Sequence, residues 1–201
     1  MKRSEFIEAV ARVAVADYER SKILPSLTIA QAILESGWGK SGLAVKSKNL
    51  FGIKAGKSWQ GAKRSYPTKE FMGGKWITID AFFREYPTFE GSVRDHNDLL
   101  MKPRYKKVKG ETDYKVACHE IKNAGYATDP NYPTLLIMMI EKLKLNKYDM
   151  EVLPMLKVDD SNKVIRLIQE KFGQAKTDEE RAEWHRMANE IRRVTEKKKS
   201  S

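Results

Sequence analysis

Residues Ala32–Gly39 read AILESGWG, and the placement of one carboxylate in this stretch decides the fold. Glu35 follows an apolar run, Leu27 to Leu34, at the end of a predicted helix. A helix C-terminus carries partial negative charge from its unpaired carbonyls, so an ionised side chain is disfavoured there by about 0.3–1 kcal/mol. The residues upstream and downstream explain the helix. Pro25 suits a first helical turn, the run that follows is apolar all round and so predicts a buried helix, and Gly37 supplies a left-handed stop.

Outward from this helix the chain is mostly helical. Phe6, Val10, Val13 and Ala14 recur at helical spacing with Ser4 as the expected N-cap. A short helical turn is expected over Ser41–Ser47, and NLFGIKA, Asn49–Ala55, reads as a structured turn. The period then changes. In YPTKEFMGGKWITIDAFFREY, residues 66–86, Trp76, Thr78 and Asp80 alternate with Ile77, Ile79 and Ala81, and Gly73-Gly74 marks a two-residue hairpin. Glu70 lies near that turn, on the strand face of Thr68 and Met72. Helices resume with Val93, Asn97 and Leu100 on one face, closed by Pro103. Thr112 is the expected cap of the next helix, which carries Tyr114, Ala117, Cys118 and Ile121. The loop AGYATDPNYP, Ala124–Pro133, gathers turn formers around Tyr126 and Tyr132, and Pro133 opens an apolar helix.

Beyond Lys147 the character changes. Asp160–Gly173 places Val164, Ile165, Ile168 and Phe172 on one helix face; Thr177 with Glu180 predicts a capping box before a helix striped by Trp184, Ala188 and Ile191. The domains expected are therefore 1–148, a linker over 149–160, and a helical hairpin over 161–201 of unassigned role.

Composition limits the function classes. The chain has 201 residues, 41% of them hydrophobic, and a formal charge of +11. Of this excess, +9 belongs to residues 1–150 and +2 to the remainder, so the main domain favours a polyanionic partner. No run approaches the length of a membrane span, and MKRSEFIEAVARVAVADYER, its apolar region broken by Glu5, Glu8 and Arg12 and followed by no small-residue cleavage site, does not read as a signal peptide. The single cysteine, Cys118, reads as a small core residue. His96, His119 and His185 are scattered, HEIKN lacks the second histidine of a zinc-protease motif, and no phosphate-binding glycine loop is present. The sequence predicts no metal and no cofactor. The basic stretch MKPRYKKVKG, Met101–Gly110, is short and next to a proline turn; it reads as a solvated face rather than a nucleic-acid site.

A mostly helical chain with one β-hairpin after a Glu that ends a buried helix resembles the lysozyme-type α+β fold. More specifically, LTIAQAILESGWGKSGLAVKSKNLFGIKA, the hairpin with TKEF and GGKW, AFFREYPTFEGSVRDH and AGYATDPNY resemble glycoside hydrolase family 73, the peptidoglycan endo-β-N-acetylglucosaminidases of phage endolysins and bacterial autolysins. The resemblance covers about residues 5–148 and none of 151–201. It implies cleavage of peptidoglycan glycan strands with Glu35 as general acid, Glu70 as the second acidic residue and Tyr126 as the active-site tyrosine. Trp38, Phe51 and Tyr132 fall in the same blocks, as sugar-facing aromatics or as core.

That chemistry accounts for the awkward carboxylate. A glycosidic oxygen leaves readily only if an acid still protonated near neutral pH gives it a proton, and burial beside apolar groups at a helix C-terminus keeps a carboxyl protonated. Glu70 then either activates water on the opposite sugar face or orients a substrate whose own 2-acetamido oxygen attacks. A muramidase or lytic transglycosylase on the same polymer and a non-catalytic wall-binding module are the competing readings. The localisation expected is synthesis in the cytoplasm and action on the cell wall after holin-type or other non-classical release.

Overall fold

The computed structural model of the chain describes residues 1–153 and 158–196, without the side chains of 69–72, 76, 158–162, 190 and 192–196. It divides into two units, Met1–Leu153 and Pro154–Ser201.

In the first unit, helix α2 (Pro25–Ser36) is the centre. Every residue from Pro25 to Ile33 is buried, and α1 (Arg3–Ser21), α4 (Phe89–Leu100), α5 (Tyr114–Asn123), α6 (Tyr132–Leu143) and α7 (Lys147–Val152) all pack against it. Leu27, Ile29 and Ile33 supply the interior of this contact, each contributing roughly 1.5–3 kcal/mol of hydrophobic stabilisation. The N-terminus of α2 is tied across the fold: the Ser26 backbone N–H donates to Asp149 Oδ1 at 2.8 Å. The stretch expected as linker, 149–160, thus begins inside α7, where Asp149 is buried.

Polar side chains fix the helices to one another. Asp17 of α1, 1% exposed, accepts from Arg20 Nε at 2.8 Å and from Asn97 Nδ2 of α4 at 2.8 Å, and Asn97 Oδ1 accepts from Thr28 of α2 at 3.1 Å. The helix starts differ from two expectations. Helix α1 begins before Ser4, because the Lys2 backbone N–H is capped by Glu5 Oε2 at 2.8 Å. Helix α5 is capped by Asp113 rather than Thr112; its carboxylate accepts from the Lys115 N–H at 2.7 Å and is the stronger acceptor.

Helix α3 (Gly42–Ser47), the short helical turn expected here and capped by Ser41, leads to the turn at Asn49. There Asn49 Nδ2 donates to the Ile53 and Arg84 carbonyls at 2.9 and 2.8 Å, which joins the turn to the foot of the hairpin. Strands β1 (Lys63–Met72) and β2 (Lys75–Arg84) form an antiparallel pair about Gly73-Gly74, with Glu70 opposite Ile77. The foot is held by Tyr66 Oη to Ser47 Oγ at 2.9 Å and by Arg84 on Asp95 of α4 at 2.5 and 2.8 Å, while residues 73–75 and 78–80 are exposed. The second unit comprises α8 (Val158–Gln174) and α9 (Asp178–Glu196) packed on each other, with Ile168 and Ala188 buried. Thr177 Oγ1 caps the Glu180 N–H at 3.1 Å, and the Glu180 carboxylate returns to the Lys176 N–H at 2.9 Å.

Burial pushes the Asp149 carboxyl up to about 6, against the Ser26 bonds that lower it. A carboxyl raised in the folded state lowers stability as pH climbs from the unfolded value near 4 through 6, because the unfolded chain ionises first. Asp149→Asn keeps an acceptor for Ser26 without the charge. Its stability relative to the parent is expected to rise by roughly 2 kcal/mol between pH 4 and pH 7.5, read from urea unfolding at both pH values; a constant difference would refute the assignment.

Candidate active site

The AILESGWG stretch ends α2 in an unusual way. Gly37, Trp38 and Gly39 are three successive left-handed residues, with φ of 56°, 65° and 71°. Ser36 ties them together: its Oγ donates to the Ala32 carbonyl at 2.5 Å and accepts from the Gly39 N–H at 2.7 Å. Gly39 is also a steric requirement, since a Cβ there would stand 2.7 Å from the Phe6 ring. Trp38 is held in this conformation, which costs a side-chain-bearing residue roughly 1–2 kcal/mol, by edge contact with Phe6 and by the Arg3 guanidinium 4.7 Å above its ring. The loop leaves Glu35 on the last turn of α2, facing the start of α6.

Glu35 is solvent-accessible, as a group that must meet substrate has to be, yet the protein crowded around it removes enough water to raise its pKa. The one opposing influence is Tyr132, whose hydroxyl donates to Glu35 Oε1 at 2.7 Å. Tyr132, 4% exposed, accepts in turn from Gln31 Nε2 at 3.1 Å. Burial foremost and the Glu35 charge next keep this phenol protonated. Tyr126 stacks on Tyr132 with ring centres 5.9 Å apart. Its own phenol is held well above the ordinary range by burial and then by the charge on Glu35. Behind it lies His96, fully buried, its pKa pushed down to about 3 by desolvation; a neutral imidazole backs the tyrosine pair. The loop carrying Tyr126 is fastened from below, because Arg104 donates to the Ala124 carbonyl at 3.1 and 2.6 Å. Arg104 belongs to the basic stretch Met101–Gly110, whose lysines are exposed as a solvated face.

The structure therefore gathers Glu35, Tyr126 and Tyr132, with Gln31 added to them. It separates the other expected aromatics. Phe51, expected either at the sugar or in the core, is 7% exposed and lies flat on His96 with ring centres 3.8 Å apart, and it packs in the core. Trp38 is half-buried and borders an apolar groove with Leu135, Met138 and Met139. The side chain of Glu70 lies outside the described residues. Among those described, no cluster of His, Cys, Asp or Glu has the make-up of a metal site. Gln31 escaped sequence reading because a polar residue four positions before an acid on a buried helix carries no motif of its own; its i,i+4 spacing to Glu35 was the available signal.

The profile of the glucosaminidase family, described as mannosyl-glycoprotein endo-β-N-acetylglucosaminidase, matches residues 11–145. The chain belongs to this family. That membership bears out the resemblance to glycoside hydrolase family 73 and covers the whole site. Among glucosaminidase relatives, the exo-glucosaminidase LytG of Bacillus subtilis is 41% identical over 182 residues, 87% of this chain and 64% of LytG. A probable N-acetylmuramidase of Lactococcus lactis is 37% identical over 72% of this chain and 34% of its own. The chain thus spans less than two thirds of the length of either. The catalytic domain of the autolysin Auto from Listeria monocytogenes superposes with a TM-score of 0.66 at 32% identity, over 73% of this chain and 86% of that domain. The lysozyme-like glucosaminidase fold is therefore the fold of the first unit.

Phe51→Ala is expected to cost about 3–5 kcal/mol of stability, read by urea unfolding, while leaving KM for glycan within twofold of the parent in the folded protein; a raised KM would return Phe51 to the sugar-binding surface.

Proposed function

We propose that this glucosaminidase-family chain is a cell-wall lytic glycoside hydrolase that cuts the β-1,4 bond after N-acetylglucosamine in peptidoglycan. The observation that carries the reading is Glu35: a solvent-accessible carboxyl, raised by desolvation, with a hydroxyl rather than a cation as its partner. Such a group keeps its proton to higher pH than an ordinary carboxyl while still meeting solvent, which is what protonation of a departing glycosidic oxygen requires. Tyr132 steadies the carboxylate once the proton has gone. Glu70 is the second carboxylate of this reading, acting on water or stabilising a substrate-assisted step from the hairpin. The basic surface of the first unit suits an anionic wall.

The muramidase alternative has one specific support, the Lactococcus relative named for that activity. Product analysis separates the two. Purified walls are digested, reduced with borohydride and examined by mass spectrometry. New N-acetylglucosaminitol ends are expected; N-acetylmuramitol or anhydro ends would overturn the bond assignment. Glu35→Gln is expected to lower the rate by about 10²–10⁴-fold, and an undiminished rate would mean that another group is the acid. Because the acid must be protonated, activity should fall as pH rises through the raised Glu35 pKa. Long fragments early in the digest would mark internal cleavage, and release of small saccharides alone would mark the end-wise action for which LytG is named.

A further inference from the structure

We infer that Gln31 is the positioning residue of the acid: it holds the Tyr132 hydroxyl so that its hydrogen points at Glu35 Oε1, which leaves Oε2 as the oxygen that carries the proton to the substrate. A tyrosine hydroxyl has one hydrogen and two lone pairs. Gln31 Nε2 stands 3.1 Å from that oxygen and can only donate, so the tyrosine accepts there and its own hydrogen is free for Glu35, 2.7 Å away. The opposite amide orientation would claim the tyrosine hydrogen for the Gln31 carbonyl and leave the phenol oxygen facing the carboxylate lone pairs. Hydrogen bonds linked in this way strengthen one another, so the donor is already oriented when charge develops on Glu35.

The cost of this arrangement points the same way. Gln31 is completely buried, and among the described residues its Oε1 has no hydrogen-bond partner. A buried carbonyl left unpaired lowers stability, and a methionine would fill the same space without that cost. The amide is therefore present for its N–H group. Without it the Tyr132 hydroxyl is free to rotate and accept the acid proton at Oε1, turning the proton away from the substrate and stabilising the protonated form.

The groups that bear on Glu35 are Tyr132 from α6 and Tyr126 from the preceding loop, with neutral His96 of α4 behind Tyr126. Glu70 of β1 is common to all variants compared, so its influence cancels.

The test is a Glu35 titration by carbon NMR on glutamate-labelled protein, assigned with Glu35→Gln, beside kcat, KM and thermal melting. In Gln31→Met the Glu35 midpoint is expected to rise by about half a pH unit or more, kcat to fall about tenfold with KM nearly unchanged, and the melting temperature to stay equal or increase. Tyr132→Phe should raise the midpoint as well, and adding Gln31→Met to it should change nothing further, since Gln31 acts only through that hydroxyl. An unmoved midpoint, or effects that add in the double variant, would overturn the assignment. Gln31→Asn, which keeps the amide but withdraws it, gives the same readouts should Gln31→Met fail to fold. The kinetic arm rests on the proposed hydrolase reading. The titration does not: a parent protein that cleaves no glycan would defeat that reading, and the midpoints would still judge Gln31.

Discussion

Helix α2 is buried on all sides from Pro25 to Ile33, and the first unit is the set of elements that wall it in. A helix in this position cannot present polar side chains freely, so whatever chemistry it carries must sit at its ends. At the N-terminal end Asp149 closes a free backbone N–H, as an acceptor at the positive end of a helix should. At the C-terminal end stands Glu35, where the helix carbonyls oppose its ionisation. The two carboxyls are both raised, yet one is locked inside the fold and the other opens to solvent. Helix α2 thus gives a rigid mount for a single exposed acid.

The choice of partner for that acid matters as much as its desolvation. An arginine or lysine within hydrogen-bond reach would depress the carboxyl by roughly 1–3 pH units and leave it ionised, unable to serve as an acid. A neutral hydroxyl donor favours the carboxylate far less, so desolvation still wins at Glu35. The tyrosine pair behind it is itself backed by His96, which burial keeps uncharged. Every polar group that the described structure brings onto Glu35 is neutral, and each is held by packing rather than by ion pairs.

Helices α2 and α6, the left-handed stop at Gly37, the short helical turn before Asn49 and the hairpin about Gly73-Gly74 were legible in the sequence, because periodicity and turn chemistry are local. Glu35 was legible because its conflict with the helix end is local too. The link from Tyr132 to Glu35 spans 97 positions, and no pattern in AGYATDPNYP distinguishes the tyrosine that touches the acid from the one that stacks behind it. Phe51 was ambiguous for the same reason: an aromatic in a structured turn turns inward or outward according to what lies opposite, and here His96 of α4 gives it a ring to cover. Asp17 lies on the apolar face of α1 with Arg20 one turn along the same helix, and only the fold brings Asn97, 80 positions away, to it. The same holds for Arg104, whose clamp on Ala124 lies within a run of lysines that carries no sign of it.

The net charge of +11 and the neutral site are two parts of one arrangement. At physiological ionic strength the field of an exposed charge is largely screened beyond about 8 Å. A surface rich in lysine and arginine can therefore attract a polyanion in aggregate, over many residues at once, while among the described residues no cation lowers the pKa of Glu35. Placing the same charges beside the acid would strengthen anion binding and remove the proton on which cleavage depends. The fold avoids that conflict by distance: Arg84 is committed to Asp95, Arg20 to Asp17 and Arg104 to the Ala124 carbonyl, so cations near the core of the unit are consumed in holding its elements together and the acid is left among hydroxyls and rings.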